Sequence, residues 1–307
     1  MKTIMRSPLS NTQRSPLSKT LCSLQSKCIL ALLLLQAAAV RPALATPADD
    51  LQAIAKEFNS EGFALRQSKT DEEREQIAAR VEKLTARLIE VAKQNPKQPI
   101  AMDALVLVVV HEMWMENNTP HLGKEADSPA PKAIATLLRD HLQSDKASEA
   151  CRRMSYGFRK ECETYLRAVM ESSPHRDVRG QACYHLAQFL NARQQRLELL
   201  EQRPEMAQRY DGLFGKEYMT AIRSKDKGVA LKEVEALFEQ GAEKYADVKL
   251  LYGGTIGERA KADLYEIRNL TVGKLAPELE GDDQDGKHFK VSDYRGKVVL
   301  LYFWSEY

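Results

Sequence analysis

Apolar residues recur every three or four positions through most of residues 46–270, the spacing that lays a stripe along one face of an α-helix. A first helix is expected over residues 51–67. The next is more sharply marked. Thr70 followed by Glu73 is a capping-box signature: the hydroxyl accepts from the third helical amide and the carboxylate reaches back to the cap amide. Beyond it Ile77, Val81, Leu84, Leu88 and Val91 form one apolar face. Asn95-Pro96 ends this helix, because proline disfavours helical backbone in the residue before it. Residues 100–116 are apolar nearly all round (AMDALVLVVVHEMWM), which predicts an element buried on several sides. The LVLVVV run also fits a buried strand; the helix formers Ala101, Met102, Ala104, Leu105, Met113 and Met115 favour helix. Residues 118–131 read as a loop. Helices are then expected around residues 131–143, 155–172, 176–201, 229–245 and 258–270, with a turn at Ser172-Ser173-Pro174.

Short connections between such helices suggest a bundle or helical-repeat layer. ACYHLAQFL (182–190) has the small–large alternation by which stacked helix pairs of the tetratricopeptide type pack, but no clean period of about 34 residues accompanies it. At residue 270 the character changes. Gly273, Gly281, Gly286 and Gly296 punctuate the chain, and residues 298–304 (VVLLYFW) form an apolar run without alternation, which predicts a strand buried on both faces of a sheet. The boundary falls near residues 269–272. The chain is thus expected to have three parts: a signal peptide (1–45), an α-helical domain (46–270) and the beginning of an α/β domain (271–307).

The signal assignment rests on residues 1–45. Lys2, Arg6, Arg14, Lys19 and Lys27 precede the apolar run 28–40, and Ala43-Leu44-Ala45 gives a small-x-small cleavage pattern. The run is shorter than the ~20 residues that span a bilayer; a short uncleaved anchor is the other reading. The duplicated RSPLS (6–10 and 14–18) lies in the same segment. An exported, periplasmic or otherwise extracytoplasmic protein is expected, with membrane contact only through the signal segment if it is retained. Net charge is +2, and part of the excess sits before residue 28, which leaves no electrostatic case for nucleic acid. Beyond residue 45 the cysteines are Cys151, Cys162 and Cys183, too few for a disulfide scaffold, so a packed core must hold the chain.

Upstream of residue 270 the candidate chemistry dissolves on spacing. His111-Glu112 begins like a zinc-protease helix, but the i+4 position holds Met115 instead of a second histidine. Cys183 and His185, two apart, point in different directions on a helix and read as packing. Cys151 and Cys162, eleven apart, share a face of one continuous helix at about 16 Å separation, beyond the reach of a disulfide; they meet only if the chain turns near Gly157. GDDQDG (281–286) resembles part of a calcium loop without its bidentate glutamate, and a tight turn between two short strands is the better reading.

The terminal stretch resembles a family. Gly273-Lys274-Leu275-Ala276-Pro277, then Asp285-Gly286-Lys287, then Val291-Ser292-Asp293-Tyr294-Arg295-Gly296-Lys297 and the run 298–304 are similar, in order and spacing, to the opening of the redoxin group. That group holds the peroxiredoxins (AhpC/TSA) and the TlpA/ResA-like thiol–disulfide oxidoreductases. The helical part more loosely resembles the N-terminal extension of multidomain redoxins. The resemblance implies a thioredoxin-like fold, a protein disulfide or thiol substrate and a redox donor, with no cofactor and no metal. It also implies that a Cys-x-x-Cys at a helix N-terminus, where dipole and free amides stabilise a thiolate, should come just after Tyr307. No catalytic residue of that motif lies within the 307 residues, so the activity is expected to be absent from the chain as written. A fragment, a premature stop, and an in-frame UGA read as selenocysteine are the three accounts of this. The alternatives to a TlpA-like oxidoreductase are a peroxiredoxin-type peroxidase and a non-enzymatic binding module with a vestigial redoxin segment.

Overall fold

Helix α1 (Pro47–Gln67) starts four residues before the apolar pattern does. Thr46 explains this: its hydroxyl accepts from the Asp49 amide at 3.2 Å, and the Asp49 carboxylate takes the Thr46 amide at 2.8 Å. The structure is a computed structural model that describes residues 46–118, 128–303 and 305; the expectations for residues 1–45, for part of the 118–131 loop and for Trp304 lie outside them. The chain divides into two compact units, residues 1–50 and 51–307, and the second holds both hydrophobic cores.

Helix α2 (Asp71–Gln94) carries the capping box as expected, with the Glu73 amide donating to Thr70 Oγ1 at 3.2 Å and the Thr70 amide to Glu73 Oε2 at 3.2 Å. Its stripe is buried against α3 (Pro99–Asn118). The all-round apolar segment is thus helix through LVLVVV, with neighbours on several sides. Arg80–Glu61 (2.7 Å) and Arg87–Glu57 (2.9 Å) tie α1 to α2.

After α4 (Ala130–Asp140) comes a helix that was not expected, α5 (Ala147–Met154). The chain then bends through residues 155–159, and the helix expected over 155–172 starts five residues late, as α6 (Lys160–Ser172). A β-carbon on Gly157 would lie 2.8 Å from Cys162 Sγ, so only glycine lets the bend close this tightly. Helix α7 (Arg176–Glu201) is the centre of the domain. Residues 182–187 are buried without a break, and α5, α6, α10 and α11 all pack on it. This is what the small–large alternation of ACYHLAQFL produces, since alanines let neighbours approach while Leu186 and Phe189 fill the spaces.

Two more helices come as corrections, because no element was expected between residues 202 and 228: α8 (Pro204–Phe214) and α9 (Lys216–Arg223). Pro204 opens the first at a position that has no intrahelical amide bond to lose, and Gly215 at φ 86° separates the pair. They bury Tyr210, Leu213, Phe214, Met219 and Ile222 with Phe158 in a second, smaller core. Helices α10 (Lys227–Lys244) and α11 (Ile256–Asn269) complete the helical layer. Thr255 and Glu258 cap α11 with the same box as α2, a signature equally present in the sequence. Among the described residues there are eleven α-helices and one two-stranded antiparallel ribbon, β1 (Glu280–Asp282) and β2 (His288–Lys290), so the fold is mainly α with a short β segment at the C-terminal end. No described helix is long and apolar enough to cross a membrane.

Candidate functional site

The segment with the family-like motifs folds locally. Glu280, Gly281 and Asp282 pair with Lys290, Phe289 and His288. Between the strands Asp283 accepts from the amides of Asp285 (3.0 Å) and Lys287 (2.9 Å), and Gly286 takes the left-handed conformation at φ 77°. GDDQDG is therefore a turn, as its residue types suggest, with one carboxylate spent on backbone amides. Lys290–Glu280 (2.8 Å) and His288–Asp282 (3.0 Å) flank it. A 3₁₀ turn over Val291–Tyr294 comes next, with the Ser292 amide donating to Glu278 Oε1 at 3.0 Å and the Lys290 amide to Asp293 Oδ2 at 2.9 Å. The Glu278 and Asp293 carboxylates thus hold the backbone at Ser292 and Lys290, just ahead of Arg295-Gly296-Lys297.

The run after it corrects an expectation. Residues 298–303 form no strand and are exposed; Val298, Leu300, Tyr302 and Phe303 are more than four-fifths accessible. A strand buried on both faces needs partners at its edges and layers above and below, and the described residues supply neither. Among the described residues its backbone amides and carbonyls have no hydrogen-bond partner and lie beside apolar side chains, a template for intermolecular pairing. The 307-residue chain is expected to be poorly soluble, and removal of residues 272–307 to raise the soluble fraction several-fold in a sedimentation assay. Equal solubility of both chains would remove this account.

Upstream, the structure separates the residues that the sequence placed near one another. His111 is fully buried in α3, stacked on Phe58 at 3.9 Å between centroids, with Nδ1 3.1 Å from Thr85 Oγ1. The Thr85 hydroxyl also reaches the Val81 carbonyl at 3.0 Å. It thus donates to Val81 and accepts from His111 Nδ1–H, which leaves Nε2 as the unprotonated nitrogen. Burial pushes the His111 pKa down to about 4. Glu112 turns elsewhere and accepts from Ser128 Oγ at 2.8 Å. Cys183 donates to the Leu237 carbonyl at 3.4 Å, whereas His185 pairs with Gln188 Oε1 at 2.9 Å, so they do not form a nucleophile–base pair. Cys151 and Cys162 do lie on either side of a turn at Gly157, yet both are free and buried, as is Cys183. Burial raises the pKa of all three, that of Cys183 to about 12, the reverse of what a reactive thiolate requires. No group of three or more His, Cys, Asp or Glu among the described residues is placed to hold a metal ion.

One buried acid was not singled out by the sequence. Glu116, at the end of α3, receives the Arg159 guanidinium, and Arg209 donates to its backbone carbonyl. Burial pushes its pKa up to about 7, against the pull of Arg159. The cleft beside it, between Met113, Phe158 and Tyr210, holds about 20 Å³, room for a single water, so this group stitches helices together instead of facing a substrate.

Residues 272–307 match the model of the AhpC/TSA family. No curated protein and no solved structure matches the chain. The match covers the segment with the β1–β2 turn and the Arg295-Gly296-Lys297 motif and leaves the eleven helices outside it.

Proposed function

We propose that this chain belongs to an exported thiol–disulfide oxidoreductase of the TlpA-like redoxin type, with the helical domain standing before the redoxin segment. The observation that carries the reading is the ordered set Gly273–Pro277, Asp285–Lys287 and Val291–Lys297 within the AhpC/TSA match. In such chemistry a thiolate attacks the substrate disulfide to form a mixed disulfide. A second cysteine resolves it, releasing substrate dithiol and leaving an enzyme disulfide for an external thiol donor to reduce. The helical domain contributes none of these thiols, since Cys151, Cys162 and Cys183 are buried and protonated.

The test uses the protein as cells make it. Native protein, captured with an antibody raised against residues 46–270, is expected to reduce insulin disulfides in the presence of a thiol donor. Its peptides carrying Cys151, Cys162 and Cys183 should stay unalkylated until the protein is unfolded. Peroxide turnover without insulin reduction would transfer the protein to the peroxidase branch. Insulin reduction accompanied by labelling at those three cysteines would move the chemistry into the helices.

A further inference from the structure

Between the C-terminal end of α2, the N-terminal half of α3 and α4 lies a pocket of about 480 Å³. That size suits a small-molecule ligand. Its floor is apolar: Ile89 and Ala92 from α2, Ala101 and Leu105 from α3, Ala133 from α4. Its rim is basic. Lys93, Lys97, Lys132 and Arg139 line it with a single carboxylate, Asp140. That carboxylate is already taken, for Arg139 holds it with two hydrogen bonds of 3.0 and 2.6 Å. The three lysines have no ion-pair partner among the described residues. Lys97 also acts on Asp140, so the mouth of this apolar pocket, with four cationic side chains and one carboxylate, carries a net excess of three positive charges. Two further features add to them. Helix α3 begins at the pocket with no acidic residue in its first turn, so its positive dipole end is unopposed. And Lys97 is the one non-glycine residue at positive φ (65°) among the described residues. A left-handed lysine is strained, and such strain is retained where a side chain has to be aimed.

We infer that this pocket binds a long-chain carboxylate, its alkyl chain on the Ile89–Leu105 floor and its carboxylate among Lys93, Lys97 and Lys132. Charge and shape together select the class. A neutral chain leaves the lysines without partners, a cationic one is repelled, and a small hydrophilic anion leaves the floor wet. The site is independent of the redoxin segment and of the proposed thiol chemistry.

Titration of the full chain with dodecanoate, below its micellar concentration, is expected to show one saturable site, with dodecanol weaker and dodecyltrimethylammonium not bound. Binding should weaken about fourfold for each methylene removed, and fall between about 20 mM and about 500 mM salt. Lys97→Gly removes one charge and relieves the backbone strain, so it should fold at least as well and bind dodecanoate two- to threefold more weakly. The Lys93→Ala/Lys97→Gly/Lys132→Ala variant should lose about tenfold for dodecanoate and nothing for dodecanol. Thr136→Trp, which fills the half-buried rim of the pocket, should abolish both, with helicity unchanged by circular dichroism. Absence of saturable binding overturns the inference, and so does equal affinity for all three head groups. Binding that survives Thr136→Trp belongs to the exposed run 298–303 and overturns it equally.

Discussion

Replacing His111 with asparagine should cost stability at pH 7 and cost about 2.5 kcal/mol less at pH 4.5. The unfolded histidine titrates at 6.5, and the folded one, desolvated within α3, at about 4. As the pH falls below 6.5 the unfolded state takes up the proton first. The folded protein then loses about 1.4 kcal/mol per pH unit, until the folded group titrates too. The histidine's contribution is thus fully present above 6.5 and gone below about 4. Asparagine keeps a donor for Thr85 but not the ring stacked on Phe58, so the variant should lose on the order of 1–2 kcal/mol at neutral pH. At pH 4.5 it should equal or exceed the wild type. His185, also held near 4 by burial, has the same sign. Glu116 has the opposite one. Its raised pKa means that the folded state binds a proton first between about 7 and 4.5, which offsets part of the histidines' effect. The raw acid limb is therefore shallower than two buried histidines alone would make it. The difference between variant and wild type, measured by urea unfolding at each pH, isolates His111. A cost of His111→Asn that is the same at both pH values would show that the ring gains solvent or a partner on protonation.

What the sequence made legible and what it did not divide along a physical line. Features set by neighbours in the chain were readable: the Thr70–Glu73 box, the α2 stripe, the GDDQDG turn, the burial of α3 on several sides and the small–large alternation by which residues 182–190 of α7 pack. The bend at residues 155–159 is half-readable: Gly157 marks the place where a turn can form, but the apolar period gives no sign of α5 before it and starts α6 five residues early. Helices α8 and α9 escaped because each is short and amphipathic; Pro204 and Gly215 are breakers that here delimit helices instead of excluding them. The α11 cap is written in Thr255-x-x-Glu258, and it sets the helix start two residues ahead of the 258–270 span that the apolar period marks. The strand expected over residues 298–304 is absent over 298–303 for a different reason. A buried strand is a property of the sheet around it, and local composition fixes only the preference. The lysine-rimmed pocket and the charge network joining Arg193 to Glu163 were invisible for a related cause. Their members come from separate helices, and nothing in a one-dimensional pattern pairs position 163 with 193 or 93 with 132.

That network carries the second large effect. Arg193, only 3% exposed in α7, donates to the Glu163 carboxylate of α6 and lies over the Phe189 ring at 5.5 Å. Glu163 also accepts from Arg167 at 2.9 and 2.7 Å, and Arg167 reaches Glu233 of α10 at 2.5 Å. Burial alone would raise the Glu163 carboxyl; Arg193 and Arg167 more than reverse this and hold it below the usual carboxylate range. Glu163→Leu should therefore cost about 3–5 kcal/mol, because it strands the Arg193 guanidinium in the interior with no compensating charge. Arg193→Met should cost less, since Glu163 retains Arg167. The double variant should recover much of the loss. An apolar pair desolvates nothing that needs a partner, and the methionine can occupy the space over Phe189. The three changes in unfolding free energy relative to wild type close a double-mutant cycle with a coupling of about 2 kcal/mol or more. Additive costs would mean that Arg193 finds water or another acceptor when Glu163 is gone, and its buried Nε, which has no partner among the described residues, marks where that solvent would enter.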